Sequence, residues 1–103
     1  MVIQAFPTYS FPYAGASINV YHVNKGEGLP KHVHAYDHAT MCVAGSVVIR
    51  KEGKEFIADK TSDPLNLVHA EWHEVEALED NSMFINISAY TNRDDSETGT
   101  PVA

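Results

Sequence analysis

Apolar and polar residues alternate with period two along most of this chain. Ile18 and Val20 are separated by Asn19 and followed by Tyr21, and Ile85 and Ile87 alternate with Asn86 and Ser88. In an extended strand this period sends one set of side chains to a core and the other to water. Short runs of this kind, SINVYHVNKGEG, KHVHAY, HATMCVAG, SVVIRKEGKEFIADK, PLNLVHA, WHEVEAL and SMFINISAY, are each closed by turn residues. Within them VVIRKEGKEFIA predicts a hairpin with Glu52, Gly53 and Lys54 at its tip and apolar arms on both sides. No segment carries the period of an amphipathic helix. Seven or eight short strands with turns every eight to twelve residues predict an all-β sandwich or small barrel, for which a jelly roll is a standard closure.

The two ends of the chain fall outside this pattern. Residues 1–14, with Pro7 and Pro12, predict an N-terminal arm or edge strand able to lie across a neighbouring subunit. Residues 15–90 form the predicted domain. Residues 91–103, TNRDDSETGTPVA, hold almost no large apolar side chains to offset their ordering entropy and predict a flexible polar tail. A length of 103 residues allows one core and no second domain.

Charge narrows the partners. Fourteen acidic residues against seven basic ones give a net charge of -7, which repels nucleic acid and anionic membranes and leaves a cationic or neutral small molecule, or a metal, as the better fit. One cysteine, Cys42, rules out an internal disulfide and favours a reducing, cytoplasmic setting. The N-terminal stretch lacks the basic and apolar runs of a signal peptide, and no stretch approaches the roughly 20 apolar residues of a membrane span.

Chemistry concentrates in KHVHAYDH, where His32, His34 and His38 fall within seven positions. His32 and His34 share a strand face, and His38 keeps the same parity across a bend at Ala35, Tyr36 and Asp37. Imidazoles select a first-row transition metal over calcium or magnesium, and three of them leave coordination positions open for water, dioxygen or substrate.

These residues carry a resemblance to the cupins. The family's first motif, G-x5-H-x-H-x3,4-E-x6-G, is matched by Gly26, His32, His34, His38 and Gly45 with every interval kept, and Glu27, Gly28 and Pro30 precede the histidines much as the family's lead-in does. The departure is His38, which stands where the family usually has glutamate. The second motif, G-x5-P-x-G-x2-H-x3-N, admits two registers. One places Pro64 on the proline and makes His69 the ligand; the other places Ser62 on the leading glycine and makes His73 the ligand. The second leaves sixteen residues between Gly45 and Ser62 for the hairpin and its return strand, against twelve in the first, and is preferred.

The resemblance implies a jelly-roll domain holding one divalent transition metal, iron or manganese ahead of zinc, nickel or copper, on His32, His34, His38 and His73. His69 is then the second choice, as ligand or as support. Tyr21, Tyr36, Thr40 and Cys42 are candidate pocket liners, and no general base carries a signature. The implied activity is a metal-dependent oxygenase acting on a small oxygen-bearing substrate. A non-catalytic small-molecule or sugar-binding module and a metal-dependent isomerase or lyase are the alternatives. A homodimer is the default assembly. Blander readings apply elsewhere: His22 as a surface or satisfied histidine, Cys42 as a small buried hydrophobe, Trp72 and the phenylalanines as core, and Glu74, Glu76, Glu79 and Asp80 as a solvated strand edge and turn.

Overall fold

The computed structural model describes residues 1–33, 36–68 and 71–89. Among them ten strands form two five-stranded sheets, and none of the described residues is helical. The first sheet has the order β1 (Ile3–Gln4), β4 (Glu27–Val33), β9 (Trp72–Ala77), β6 (Ser46–Lys51) and β7 (Lys54–Asp59). The second has the order β2 (Tyr9–Tyr13), β3 (Ala16–Val23), β10 (Ser82–Ala89), β5 (His38–Ala44) and β8 (Leu65–Leu67). The architecture is the expected all-β jelly roll. The predicted tail over residues 91–103 lies outside the described residues.

The period-two pattern is kept, but with its faces inverted along part of β3 and β10: Ile18, Val20, Ile85 and Ile87 are half-buried on the outward face, and Asn19, Asn86 and Ser88 point inward. In β3 and β10 buried residues alternate with half-buried ones, and the buried set of each strand meets that of its neighbour: Tyr21 opposite Phe84, Asn19 opposite Asn86, Ser17 opposite Ser88. The hairpin forms with a two-residue turn. Glu52 and Gly53 both adopt positive φ, 46° and 83°, the combination whose twist matches that of the flanking strands, and Lys54 already belongs to β7.

Residues 1–14 take the edge-strand form of the expectation: β1 pairs in parallel with β4 and β2 antiparallel with β3, so the segment supplies one edge strand to each sheet of its own chain. Two other expectations change. The strand holding Glu74 and Glu76 is not at an edge, because β9 runs between β4 and β6. Its outward carboxylates are held by Arg50 on the neighbouring strand, at 3.1 Å from Glu74 and 2.9 Å from Glu76, with Glu55 of β7 at 2.9 Å on the other side. Of the aromatic residues expected in the core, Phe84 is there, whereas Phe6, Phe11 and Phe56 are exposed and Trp72 lies half-buried under Lys31, whose ammonium sits 4.3 Å from the ring centroid.

Two glycines set how closely elements approach. A Cβ on Gly28 would stand 2.0 Å from the Val75 carbonyl oxygen, so β4 and β9 come together there only because position 28 has no side chain. Gly45, which closes the first motif, has φ of 65°, and a Cβ there would stand 2.2 Å from Ser82 Oγ.

Candidate metal centre

The interior is graded along the strands. At one end Val23, Leu29, Val47, Ile49, Ala58, Leu67, Val75 and Ala77 pack with Tyr21, Cys42 and Phe84 into a continuous apolar cluster. Moving along β3, β10 and β5 the inward residues become polar: Asn19, Asn86 and Thr40, then Ser17 and Ser88. The Thr40 hydroxyl donates to Asn86 Oδ1, so this layer satisfies part of its own polarity. The histidines belong to this polar end.

His32 reaches the interior through a β-bulge. Leu29 pairs with Val75 and His32 with His73, so three residues of β4 span two of β9. In a regular strand residues three apart, such as Leu29 and His32, would face opposite sides of the sheet; the bulge turns both to the same side. Pro30, which has no amide hydrogen to lose from the ladder, sits in the bulge. Its carbonyl accepts a hydrogen bond from His32 Nδ1. That bond puts the proton on Nδ1 and, in the neutral ring, the lone pair on Nε2, the form in which a histidine ligates a metal.

His73 lies directly across from His32 on β9, with ring centroids 4.4 Å apart in an edge-on arrangement. His38 arrives from the opposite sheet as the first residue of β5, its ring centroid 5.1 Å from that of His73. Three imidazoles from two strands of one sheet and one strand of the other thus gather at one end of the barrel. His38 and His73 are buried. Burial first, then the fields of His73 and His32, push His38 down to about 3. Burial and then His32 bring His73 down to about 4, against a smaller upward pull from Glu71. Both rings are therefore neutral at physiological pH, as metal ligation requires.

The other expected site residues divide. Tyr36 is buried beside His38 at a centroid distance of 6.2 Å, and Thr40 is buried one inward step along β5. Tyr21 and Cys42 are placed elsewhere. Tyr21 stacks on Phe84 at 4.6 Å, and Cys42 donates its thiol to the Ala44 carbonyl, with burial raising its pKa; both lie within the apolar cluster. Strand parity fixes the face a side chain occupies and leaves its depth open. His22 is exposed, with Nδ1 3.0 Å from the Thr8 hydroxyl. His34 and His69 lie outside the described residues. Among the described residues no group of three or more His, Cys, Asp or Glu side chains is arranged to hold a metal ion. Asn86 and Asn19, on the polar wall, are site residues that the sequence pattern does not flag, because their alternation with Ile18, Val20, Ile85 and Ile87 reads as the water-facing set.

No family model matches the chain. No curated protein sequence matches it either. Solved structures do. KdgF from Halomonas sp. superposes with a TM-score of 0.73 at 20% identity, covering 85% of this chain and 79% of that one. A cupin protein from Bacteroides fragilis gives 0.62 at 17% identity, covering 80% and 72%. An RmlC-like cupin family protein with a double-stranded β-helix fold, from Methanocaldococcus jannaschii, gives 0.66 at 13% identity, covering 82% and 77%. The fold of this chain is that of a small single-domain cupin.

Proposed function

We propose that the chain is a metal-binding cupin in which His32, His34, His38 and His73 hold one divalent transition ion, iron or manganese ahead of zinc, nickel or copper, and that it acts as an oxygenase on a small oxygen-bearing substrate. The observation that carries this reading is the gathering of His32, His38 and His73 at the polar end of the interior, each from a different strand. His34 joins them on sequence interval alone. Two buried, neutral imidazoles beside a third whose proton is fixed on Nδ1 are a donor set that suits such an ion.

When bound, the ion supplies Lewis-acid polarisation of a substrate oxygen and, as iron or manganese, reactivity toward dioxygen. The chain's own residues set what it meets. Imidazole at position 38 leaves the site one charge unit more positive than the family's usual carboxylate would, which favours anionic or enolate-like ligands. Thr40 and Asn86 offer a hydroxyl and an amide on the adjoining wall to orient a ligand's polar groups. Among the described residues no Asp or Glu is buried in the interior. This favours chemistry on a substrate that arrives already ionised over isomerisation by a carboxylate base. The same neutral wall also suits a non-catalytic binder of small polar molecules, which is the second reading.

The test is anaerobic reconstitution with Fe(II) or Mn(II), followed by metal analysis and oxygen uptake across diketones, phenols and small carboxylates. About one ion per chain in the wild type, lost in His34→Ala and His73→Ala, supports the ligand set; metal content unchanged in either variant overturns it. Metal binding without oxygen uptake on any of these substrates transfers the proposal to the binding module.

A further inference from the structure

One cross-strand row of the first sheet sets ammonium groups beside imidazoles. It runs His32, His73, Lys51, Lys54 over β4, β9, β6 and β7. Residues paired across a sheet share a face, and His73 is buried, so the row lies on the inward side. Strand parity agrees, since Lys51 continues the set Val47 and Ile49, both in the apolar cluster. Lys54 is exposed at the hairpin end, whereas the Lys51 side chain is only 20% exposed. Its ammonium lies 3.3 Å from Glu71 Oε1, just ahead of β9, and 3.4 Å from the Asn66 carbonyl oxygen on β8 of the other sheet. Lys51 therefore reaches across the polar end of the barrel, next to His73. Both contacts are longer than the roughly 2.7–2.9 Å of a strong charge-assisted hydrogen bond. Arg50, one residue earlier on the outward face, is held more tightly, at 2.9, 3.1 and 2.9 Å from its three carboxylates. The carboxylate of Glu52, at the hairpin tip, accepts from the Trp72 amide at 2.8 Å.

We infer that Lys51 is a specificity-determining residue of the histidine site, receiving a carboxylate of a small acid whose other oxygen donors face the metal. The inference rests on reading the histidines as a metal centre. Position is the first argument. Adjoining strands lie about 4.8 Å apart, so Lys51 and His73 begin side by side, and one small molecule can meet both. That spacing suits an acid with one or two carbons between its oxygen-bearing ends. Exchange is the second. Lys51 and Glu71 are 20% and 32% exposed, so much of the cost of desolvating the ammonium is already met in the fold. A ligand's carboxylate that displaces Glu71 keeps the ammonium paired and returns the glutamate to water. Charge is the third. The net charge of -7 disfavours an anion at long range, so its capture depends on local cations. Glu55, Glu74 and Glu76 are on the outward face with Arg50, whereas two of the five lysines stand in the row that holds His32 and His73.

Titration calorimetry of the full chain with malonate and with malonamide, its neutral diamide, tests this in the metal-loaded and metal-free protein. Malonate should bind the loaded wild type. Lys51→Met should weaken it about tenfold or more, with malonamide affinity and metal content as in the wild type. Lys51→Arg, which keeps the cation, should stay within about threefold of the wild type. Glu71→Gln, which frees the ammonium, should tighten malonate binding about threefold or more. A pair that only clasps the two sheets together gives a different result: Lys51→Met and Glu71→Gln both lower the urea midpoint, and neither separates malonate from malonamide. That result overturns the inference, as does a wild type that binds malonate in neither form. If the chain takes up no metal, the metal reading falls by itself, and malonate binding to metal-free wild type against Lys51→Met decides the role of Lys51. If Lys51→Met fails to fold, malonate affinity unchanged in Glu71→Gln overturns it.

Discussion

His32 and His73 stand directly opposite one another on β4 and β9, with ring centroids 4.4 Å apart, and His38 completes the group from the facing sheet. This arrangement makes a distinct prediction for position 38. His38→Glu, which restores the family's usual donor, is expected to retain metal but lower the charge of the loaded centre by one unit. Affinity for anionic probes such as oxalate should then fall about tenfold or more while affinity for neutral diols is unaffected. Without metal the new carboxylate is buried beside neutral rings, so the metal-free variant should be destabilised by about 2–4 kcal/mol and rescued by reloading. Titration calorimetry and denaturant melts with and without metal read both effects. Equal oxalate affinity in the two proteins would count against an electrostatic role for the histidine.

Gly45 gives a packing prediction with an internal control. Alanine there is strained twice, by φ of 65° and by a Cβ 2.2 Å from Ser82 Oγ, whereas Gly53 has φ of 83° and open space around its Cβ position. Gly53→Ala should therefore cost about 1–2 kcal/mol from backbone strain alone. Gly45→Ala adds an overpacking cost of about 1–3 kcal/mol. The excess arises because Ser82 cannot retreat easily: its hydroxyl bonds the Glu79 carbonyl at 2.8 Å and the Ser46 backbone at 3.2 Å. Equal losses in urea melts would mean that the strand ends separate without cost.

Much of this was legible before any coordinates, and the reasons are local. Period-two alternation marks β3 and β10 as strands, and Glu52, Gly53 and Lys54 mark the hairpin tip, because both are properties of a few consecutive residues. Alternation does not tell which face of β3 and β10 points inward: Asn19 and Asn86 do, and Ile18, Val20, Ile85 and Ile87 do not. The register that makes His73 the candidate ligand rather than His69 rested on counting the residues a hairpin needs, and His73 does face His32. Depth was not legible: Cys42 shares the parity of His38 yet lies four residues along β5, in the apolar cluster. Nor was the bulge at Pro30 and Lys31, since one extra residue inverts parity and only its pairing with β9 reveals it. The anchoring of Glu74 and Glu76 by Arg50 depends on strand order, which alternation does not encode.

That anchoring is testable. Arg50 sits between three carboxylates, Glu55, Glu74 and Glu76, and holds the latter two from one nitrogen at 3.1 and 2.9 Å. Arg50→Ala leaves Glu74 and Glu76 on the same face of β9 with no cation between them. The side chains involved are partly solvated, so the expected loss is about 1 kcal/mol, or about 4–8 °C in Tm. It should shrink at high ionic strength as the remaining repulsion is screened. A Tm unchanged at low salt would show that the carboxylates relax into water.

The buried histidines also set how the metal-free chain responds to acid. In the unfolded chain each titrates near 6.5; in the fold, burial and the neighbouring rings lower His38 to about 3 and His73 to about 4. Both folded values lie below the unfolded one, so between them the unfolded state binds more protons and acid favours unfolding. The stabilisation is present in full above 6.5 and is lost as pH falls through the folded values. Each group contributes a slope of about 1.4 kcal/mol per pH unit, so the two together give about 2.7 kcal/mol per unit down to about 4. From there to about 3 only His38 continues. The interval from 6.5 to 5 is the cleanest to measure, because few carboxylates titrate in it. Urea melts of the metal-free protein across that interval should show the combined slope, and His38→Gln should reduce it by about half. A stability independent of pH from 6.5 to 5 would mean that water reaches both rings and that neither is held neutral by the fold.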